Sequence, residues 1–325
     1  MRVCIVGAGA IGCFVGARLA AAGQAEVSAV ARGATLTALS EHGWRLQTAE
    51  GLMQAPVRAC EKPVELGVQD LVVVAVKGPA LTAVARQIAP LLGPQTLVLP
   101  AMNGVPWWFC QGVAGFGSAP LDSVDPGGVV EGAVPNEQVV GCVVHASTSV
   151  RSPGMVQHRM GRGLVVGEPR GGRSERVQRV ADLLEHAGFE VTHSADVRYD
   201  IWYKLWGNLT MNPVSALTGA TVDCVLADAL VRDFCSAAMN EANAVGERIG
   251  VAISQTPQDR HAKTAKLGAF KTSMLQDVEA NRPIELDAIV GAVYEIGRRL
   301  NVATPSIAAL LGLTRLFGQV RGLYS

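Results

Sequence analysis

The chain has 325 residues, 49% of them hydrophobic, 17% charged and 36 of them glycine. That length suits about two domains, and the balance suits a well-packed α/β protein rather than a disordered or fibrous chain. Formal net charge is zero, so no broad attraction to nucleic acid or to an anionic membrane is built in.

Residues 1–32 carry the strongest signal. Arg2–Val6 is a short apolar run, predicted as a strand, that passes straight into Gly7-Ala8-Gly9-Ala10-Ile11-Gly12 and a helix of small residues. Gly7 suits a sharp turn off the strand, Gly9 leaves the backbone open to a pyrophosphate, and Gly12 lets the helix lie close on the sheet. The helix then directs its free N–H groups and positive dipole end at the phosphates. A second strand, Glu26 to Ala31, ends at Arg32. An acidic residue there would hydrogen-bond an unmodified ribose, whereas a guanidinium suits a 2′-phosphate, so the pattern predicts NADP(H) over NAD(H). The plain alternative for Arg32 is an exposed arginine at a strand end.

Trp44–Thr48 and Leu52–Arg58 read as a strand pair around Glu50-Gly51. Asp70–Val76 is apolar on both faces, as a parallel sheet requires. Lys77 follows it, then a helix with Leu81, Val84, Ile88 and Leu91 on one stripe. The next strand, Thr96–Leu99, leads into Asn103-Gly104. Ligands of doubly wound sheets lie beyond the carboxyl ends of the strands, so Lys77 and Asn103 fall where a nicotinamide would sit. Lys77 as an exposed loop lysine and Asn103-Gly104 as a simple turn are the competing readings.

Further strands are predicted at Val143–Val150, Met155–His158 and Leu164–Gly167, with turns at Ser152-Pro153-Gly154 and Gly161-Arg162-Gly163. Helix Ser174–His186 stops at Gly188. The arginines at 170, 173, 176 and 179, interleaved with Glu175 and Asp182, read as a solvated helix face rather than a nucleic-acid site. After Ser194 only helical patterns follow, which places a domain boundary near residue 195.

In the second domain Lys204, Asn208 and Asn212 recur at i, i+4, i+8 and share one side of a helix beside an Ile201, Leu205, Leu209 stripe. Pro213 predicts a helix end or kink just after Asn212. A lysine and two amides among tryptophans make a polar wall for a small anionic substrate; the alternative is a snorkelling lysine with two capping asparagines. One long helix is expected from about Asp223 to Ile249, with Leu226, Leu230, Phe234, Ala238, Val245 and Ile249 inward. Thr256-Pro257 opens another, Ser273-Met274-Leu275-Gln276 has capping-box spacing with Ser273 as cap, and Thr304-Pro305 starts the last. Pro283 as a first helical residue puts Glu285 in a first turn, where the dipole alone would favour a carboxylate.

Seven cysteines, with no CxxC spacing, read as reduced thiols of a cytoplasmic protein. The six histidines show no metal-ligand spacing and no GxSxG elbow occurs. The apolar start carries the glycine fingerprint rather than a signal peptide, and no uncharged apolar stretch is long enough to span a membrane.

The set Gly7-Ala8-Gly9-Ala10-Ile11-Gly12, Val76-Lys77, Asn103-Gly104, Lys204-x-x-x-Asn208-x-x-x-Asn212-Pro213 and Ser273-Met274-Leu275-Gln276-Asp277 followed by Glu285 resembles the ketopantoate reductases (2-dehydropantoate 2-reductases) over essentially the whole chain. The resemblance implies a Rossmann-type doubly wound sheet in residues 1–195, an all-helical domain in residues 196–325, and NADPH-dependent reduction of a 2-keto acid. It implies Lys204 as general acid, Glu285 as the carboxylate that orients substrate and cofactor, and Asn208, Asn212 and Ser273 as substrate contacts. Asn103 matches a position shared by substrate and nicotinamide; Lys77 and Ser147 match cofactor contacts. Phe270 and Val222 stand where polar residues are expected, and Trp107 and Trp108 follow Asn103, so a paralogous reductase of another 2-keto acid is an alternative. A non-catalytic dinucleotide sensor is a third reading, one that would not require Lys204 with Glu285. A homodimer through the apolar helices of the second domain is compatible with the pattern, as is a monomer.

Overall fold

A computed structural model describes residues 1–117 and 119–324. The chain divides into two compact units: residues 1–102 with 129–200, and residues 103–128 with 201–325. The sequence reading places one cut after residue 195. In the structure the crossing falls within a helix, between Asp200 and Ile201, and residues 103–128 group with the helical unit.

The first unit is built on five parallel strands, β1 (Arg2–Val6), β2 (Glu26–Val30), β5 (Arg58–Cys60), β6 (Leu71–Val74) and β7 (Leu97–Pro100), in the order β5-β2-β1-β6-β7. Val3, Ile5, Leu71, Val72 and Val73 are fully buried, as expected of strands covered on both faces. A second sheet centres on β9 (Met155–Gly167). Antiparallel β8 (Gly141–Ser152) runs along one of its edges; on the other, β3 (Trp44–Gln47) pairs with the start of β9 and β10 (Glu190–Ser194) with its end, while β4 (Leu52–Ala55) pairs with β3.

Helix α1 (Ala10–Ala22) contacts strands of both sheets, and its Phe14, Val15 and Leu19 join the core that links them. Phe14 meets Phe189 edge-on at 5.3 Å. Helices α2 (Gly33–His42) and α5 (Glu175–His186, capped by Ser174) complete this unit with two single-turn pieces, α3 (Leu81–Ala85) and α4 (Val129–Ala133). Leu81, Val84, Ile88 and Leu91 are buried as expected, but Pro90 divides their helix into α3 and a separate 3₁₀ turn. Gly161 is not in a turn: β9 runs through it, and its φ of +76° sits at a register shift against His145 and Ser147.

The second unit is helical, with no strand after Ser194 among the described residues. Helix α6 (Val197–Thr218) continues through Pro213 rather than ending just after Asn212. Leu209, Met211, Val214 and Ala216, on both sides of the proline, are buried, so packing outweighs the one lost backbone bond. The expected single helix after it is two, α7 (Val222–Ala227) and α8 (Ala229–Arg248). Asp228 separates them and accepts the Val231 amide at 3.0 Å as the cap of α8. The break alters the helical phase, and Leu230, expected inward, is 82% exposed.

Helices α9 (Pro257–Ala265), α10 (Ser273–Glu279), α11 (Ala292–Arg299) and α12 (Pro305–Val320) follow. Thr256 and Asp259 form the capping box of α9. Glu241 of α8 accepts the Ser306 and Ile307 amides at 2.9 Å each, closing the start of α12. Residues 103–128 are tied to this unit by Glu295, which accepts the amides of Asp122 and Ser123, and by Arg299, which donates to the Ala119 and Pro120 carbonyls. Phe109 stacks on Trp202 at 5.7 Å. All seven cysteines are free and, Cys224 apart, buried. No helix is long and apolar enough to cross a membrane among the described residues.

Candidate active site

Each unit carries one half of the predicted constellation. In the first, the parallel strands bring the ends of β2, β1 and β6 to one edge, in that order. Gly7 takes φ +94°, and a side chain there would meet Val76 Cγ1 at 2.5 Å. A Cβ at Gly12 would strike the Gly7 carbonyl oxygen at 1.9 Å, so α1 lies against the turn as the motif requires. A Cβ at Gly9 would meet nothing within 4 Å, and no side chain caps the helix start there. The turn Gly7-Ala8-Gly9-Ala10-Ile11-Gly12 thus leaves backbone amides at an open helix N-terminus, the arrangement that receives a pyrophosphate.

On one side of this turn, two residues past β2, Arg32 is exposed, and its guanidinium has no hydrogen-bond or ion-pair partner among the described residues. On the other side Lys77 is half-buried beyond β6 and precedes a 3₁₀ turn. The strand order therefore sets Arg32, the glycine turn and Lys77 in sequence along that edge. Ser147 is half-buried on β8, between two register shifts of the second sheet.

In the second unit α6 presents Lys204, Asn208 and Asn212 on one face, as the spacing requires. Lys204 Nζ donates a 2.8 Å hydrogen bond to Asn103 Oδ1, joining residues that are 101 positions apart. Asn103 is held in turn by its neighbours. Gly104, at φ +86°, lies against Ala288, and the Val105 amide donates to the Ala288 carbonyl at 2.7 Å. Asn208 is half-buried, whereas Asn212 is 4% exposed and its Nδ2 is buried with no partner among the described residues. A buried amide left unpaired costs about 1–3 kcal/mol, and a ligand oxygen would relieve that cost.

Glu285 is half-buried in an irregular stretch. Helix does not begin at Pro283; it begins at Leu286, with a π turn over Asp287–Gly291 ahead of α11, so Glu285 stands just outside the first turn. Such π turns recur at functional sites. Ser273 is not the cap of α10: Thr272 is, accepting the Leu275 amide at 3.2 Å, and Ser273 follows it as an exposed first-turn residue.

Sequence reasoning missed the neighbours of Lys204. Beside it on α6, Tyr203 donates to Gln255, receives Lys263 Nζ at 3.2 Å and lies under the Arg260 guanidinium at 4.7 Å. Burial alone would push the Tyr203 phenol up, but Lys263 and Arg260 outweigh it and hold the phenol below its usual range. Lys263 and Arg260 thus set two cations against the face of α6 next to Lys204. Trp107 and Trp108 are buried in this unit, and Phe270 packs on the cluster that contains Val222.

Two family profiles match the sequence: ketopantoate reductase PanE/ApbA over residues 3–108 and ketopantoate reductase PanE/ApbA C terminal over residues 196–317. The chain belongs to the ketopantoate reductase family. It is an oxidoreductase of the 2-dehydropantoate 2-reductase type, acting between C=O and CH–OH. A 2-dehydropantoate 2-reductase from Mesorhizobium japonicum is 45% identical over 100% of both chains. One from Halobacterium salinarum is 30% identical over 97% of this chain and 98% of its own. A crystal structure from Ralstonia solanacearum, provisionally named a ketopantoate reductase, superposes on this reductase with a TM-score of 0.96, 52% identity and 99% of each chain covered.

Proposed function

We propose that this reductase converts 2-dehydropantoate (ketopantoate) to pantoate, the step that feeds pantothenate synthesis, with NADPH as reductant and Lys204 as proton donor. A nicotinamide held by this chain would supply the hydride for the keto carbon. The observation that carries the reading is the Lys204–Asn103 hydrogen bond, which fixes an ammonium on the same helix face as two amides. As the carbonyl oxygen gains charge, a held ammonium both stabilises it and delivers a proton, the two effects general acids and oxyanion donors supply. Asn208, Asn212 and Ser273 hold the substrate by hydrogen bonds that add no charge, and Glu285 orients substrate and cofactor. Gly7 to Gly12, Lys77 and Ser147 serve the dinucleotide; Arg32, exposed and unpaired, serves its 2′-phosphate.

A cytoplasmic setting goes with this reading, since seven free cysteines suit a compartment that keeps thiols reduced. Phe270 and Val222, apolar where polar contacts are expected, favour one second reading: the same chemistry on a different 2-keto acid. The deciding experiment is initial-rate NADPH oxidation with ketopantoate beside 2-keto acids of differing bulk. Much the highest kcat/KM with ketopantoate supports the first reading and a better acid supports the second; no oxidation with any acid refutes both and leaves a dinucleotide sensor.

A further inference from the structure

Glu285 stands in a run without regular secondary structure, residues 282–285, between α10 and the π turn. A carboxylate on such a run has no helix or strand of its own to fix its direction. The segment that follows α12 braces this run through its backbone. The Ile284 amide, one residue before Glu285, donates to the Leu323 carbonyl at 3.0 Å. Tyr324 Oη, one residue further along the same segment, donates to Asp287 Oδ1 at 2.8 Å, two residues after Glu285. Consecutive residues thus grip the run on both sides of the carboxylate.

The grip is firmly seated. Ile284 and Leu323 are 1% and 2% exposed. The Leu323 amide closes the end of α12 on the Gly318 carbonyl at 2.7 Å. A Cβ at Gly318 would meet Tyr324 Cβ at 2.7 Å and Ile284 Cδ1 at 3.2 Å, so the absence of a side chain there lets the segment fold back. Burial and the facing Asp287 carboxylate push the Tyr324 hydroxyl up to about 12, which keeps it a donor throughout any assay range. The next residue of the π turn, Ala288, is the one whose carbonyl seats the Asn103 loop through the Val105 amide.

We propose that Leu323 and Tyr324 form a positioning strap for the keto-acid site, setting the direction of Glu285 and the seat of Asn103 through Ile284, Asp287 and the π turn. The inference rests on the reading of Glu285 and Asn103 as substrate contacts. Tyr324 and Asp287 act through those residues and touch no reactant.

The test uses the full chain with saturating NADPH, measuring kcat and KM for ketopantoate in Tyr324→Phe, Asp287→Ala, Asp287→Asn, the double variant Tyr324→Phe/Asp287→Ala, and Glu285→Gln. Tyr324→Phe is expected to raise the keto-acid KM about fivefold, the loss of one hydrogen bond, with a cooperative melt retained. Asp287→Ala should match it. Asp287→Asn, whose amide oxygen still accepts, should recover a near-native KM, and the double variant should be no worse than either single one. A native KM in Tyr324→Phe beside a raised KM in Glu285→Gln overturns the strap. Native behaviour in Glu285→Gln removes the role being positioned, and the strap falls with it.

Discussion

Replacing Gly104 with alanine tests whether the Asn103 loop is seated by backbone contact. Two costs follow from the structure. At φ +86° an L side chain is strained by about 1–2 kcal/mol. The new Cβ would lie 2.4 Å from the Ala288 oxygen and 2.6 Å from its carbonyl carbon. Backbone cannot absorb that overlap locally, so the 2.7 Å bond from the Val105 amide to Ala288 is lost as well, at about 1 kcal/mol. Together these amount to about 2–3 kcal/mol. If the loop lifts away, Asn103 leaves Lys204 and the full cost falls on the reaction, lowering kcat/KM by about 30- to 160-fold at 1.36 kcal/mol per decade. If the loop stays and the unit bears the strain, the melting temperature falls by roughly 4–12 °C instead. Steady-state rates with ketopantoate, a thermal melt and NADPH affinity by fluorescence distinguish the two outcomes. NADPH affinity should hold if the loop stays, because the glycine turn belongs to the other unit. A Gly104→Ala enzyme with native kcat/KM and native melting temperature refutes the seating argument.

Three further expectations complete the set. Lys204→Ala should depress kcat by about 100-fold or more, the scale of a lost general acid, while leaving NADPH affinity nearly intact; an unchanged kcat would mean that another group supplies the proton. Arg32→Asp should weaken NADPH binding far more than NADH binding, and equal losses would remove Arg32 from the 2′-phosphate role. The outer stripe of α12, Leu313, Leu316 and Val320, is 61%, 59% and 79% exposed, a face that a second copy of the chain would cover. Sedimentation velocity should then show Leu316→Glu shifted toward monomer, and an identical profile would exclude that face from any dimer.

The features legible in the sequence were those set by short-range geometry. Gly7, Gly9 and Gly12 each meet the condition for which glycine was read, and Val3, Ile5 and Leu71 to Val73 are the buried strands their composition indicates. The i, i+4, i+8 spacing put Lys204, Asn208 and Asn212 on one face because a helix leaves no other choice.

What the sequence did not disclose depended on competition between local rules and distant contacts. Pro213 obeys its own chemistry, yet burial on both sides keeps α6 continuous. Asp228 fits a helix interior by periodicity, but its side chain does better capping α8, and that choice turned Leu230 outward. Thr272 and Ser273 are both good caps, and sequence alone does not choose between neighbours. The attachment of residues 103–128 was hidden because that segment has no period. It is fixed by Glu295, Arg299 and Trp202, which lie far along the chain.

That attachment limits how the molecule can be divided. Expressing residues 1–195 as a free dinucleotide domain would keep Trp107, Trp108 and Phe109 while discarding Trp202 and Glu295, leaving an aromatic segment without its shelter and prone to aggregate. A chimera made to change keto-acid preference meets the same boundary from the other side. The transplant must include residues 103–128 together with 201–325, because a swap at one junction would separate Asn103 from the lysine it was matched to.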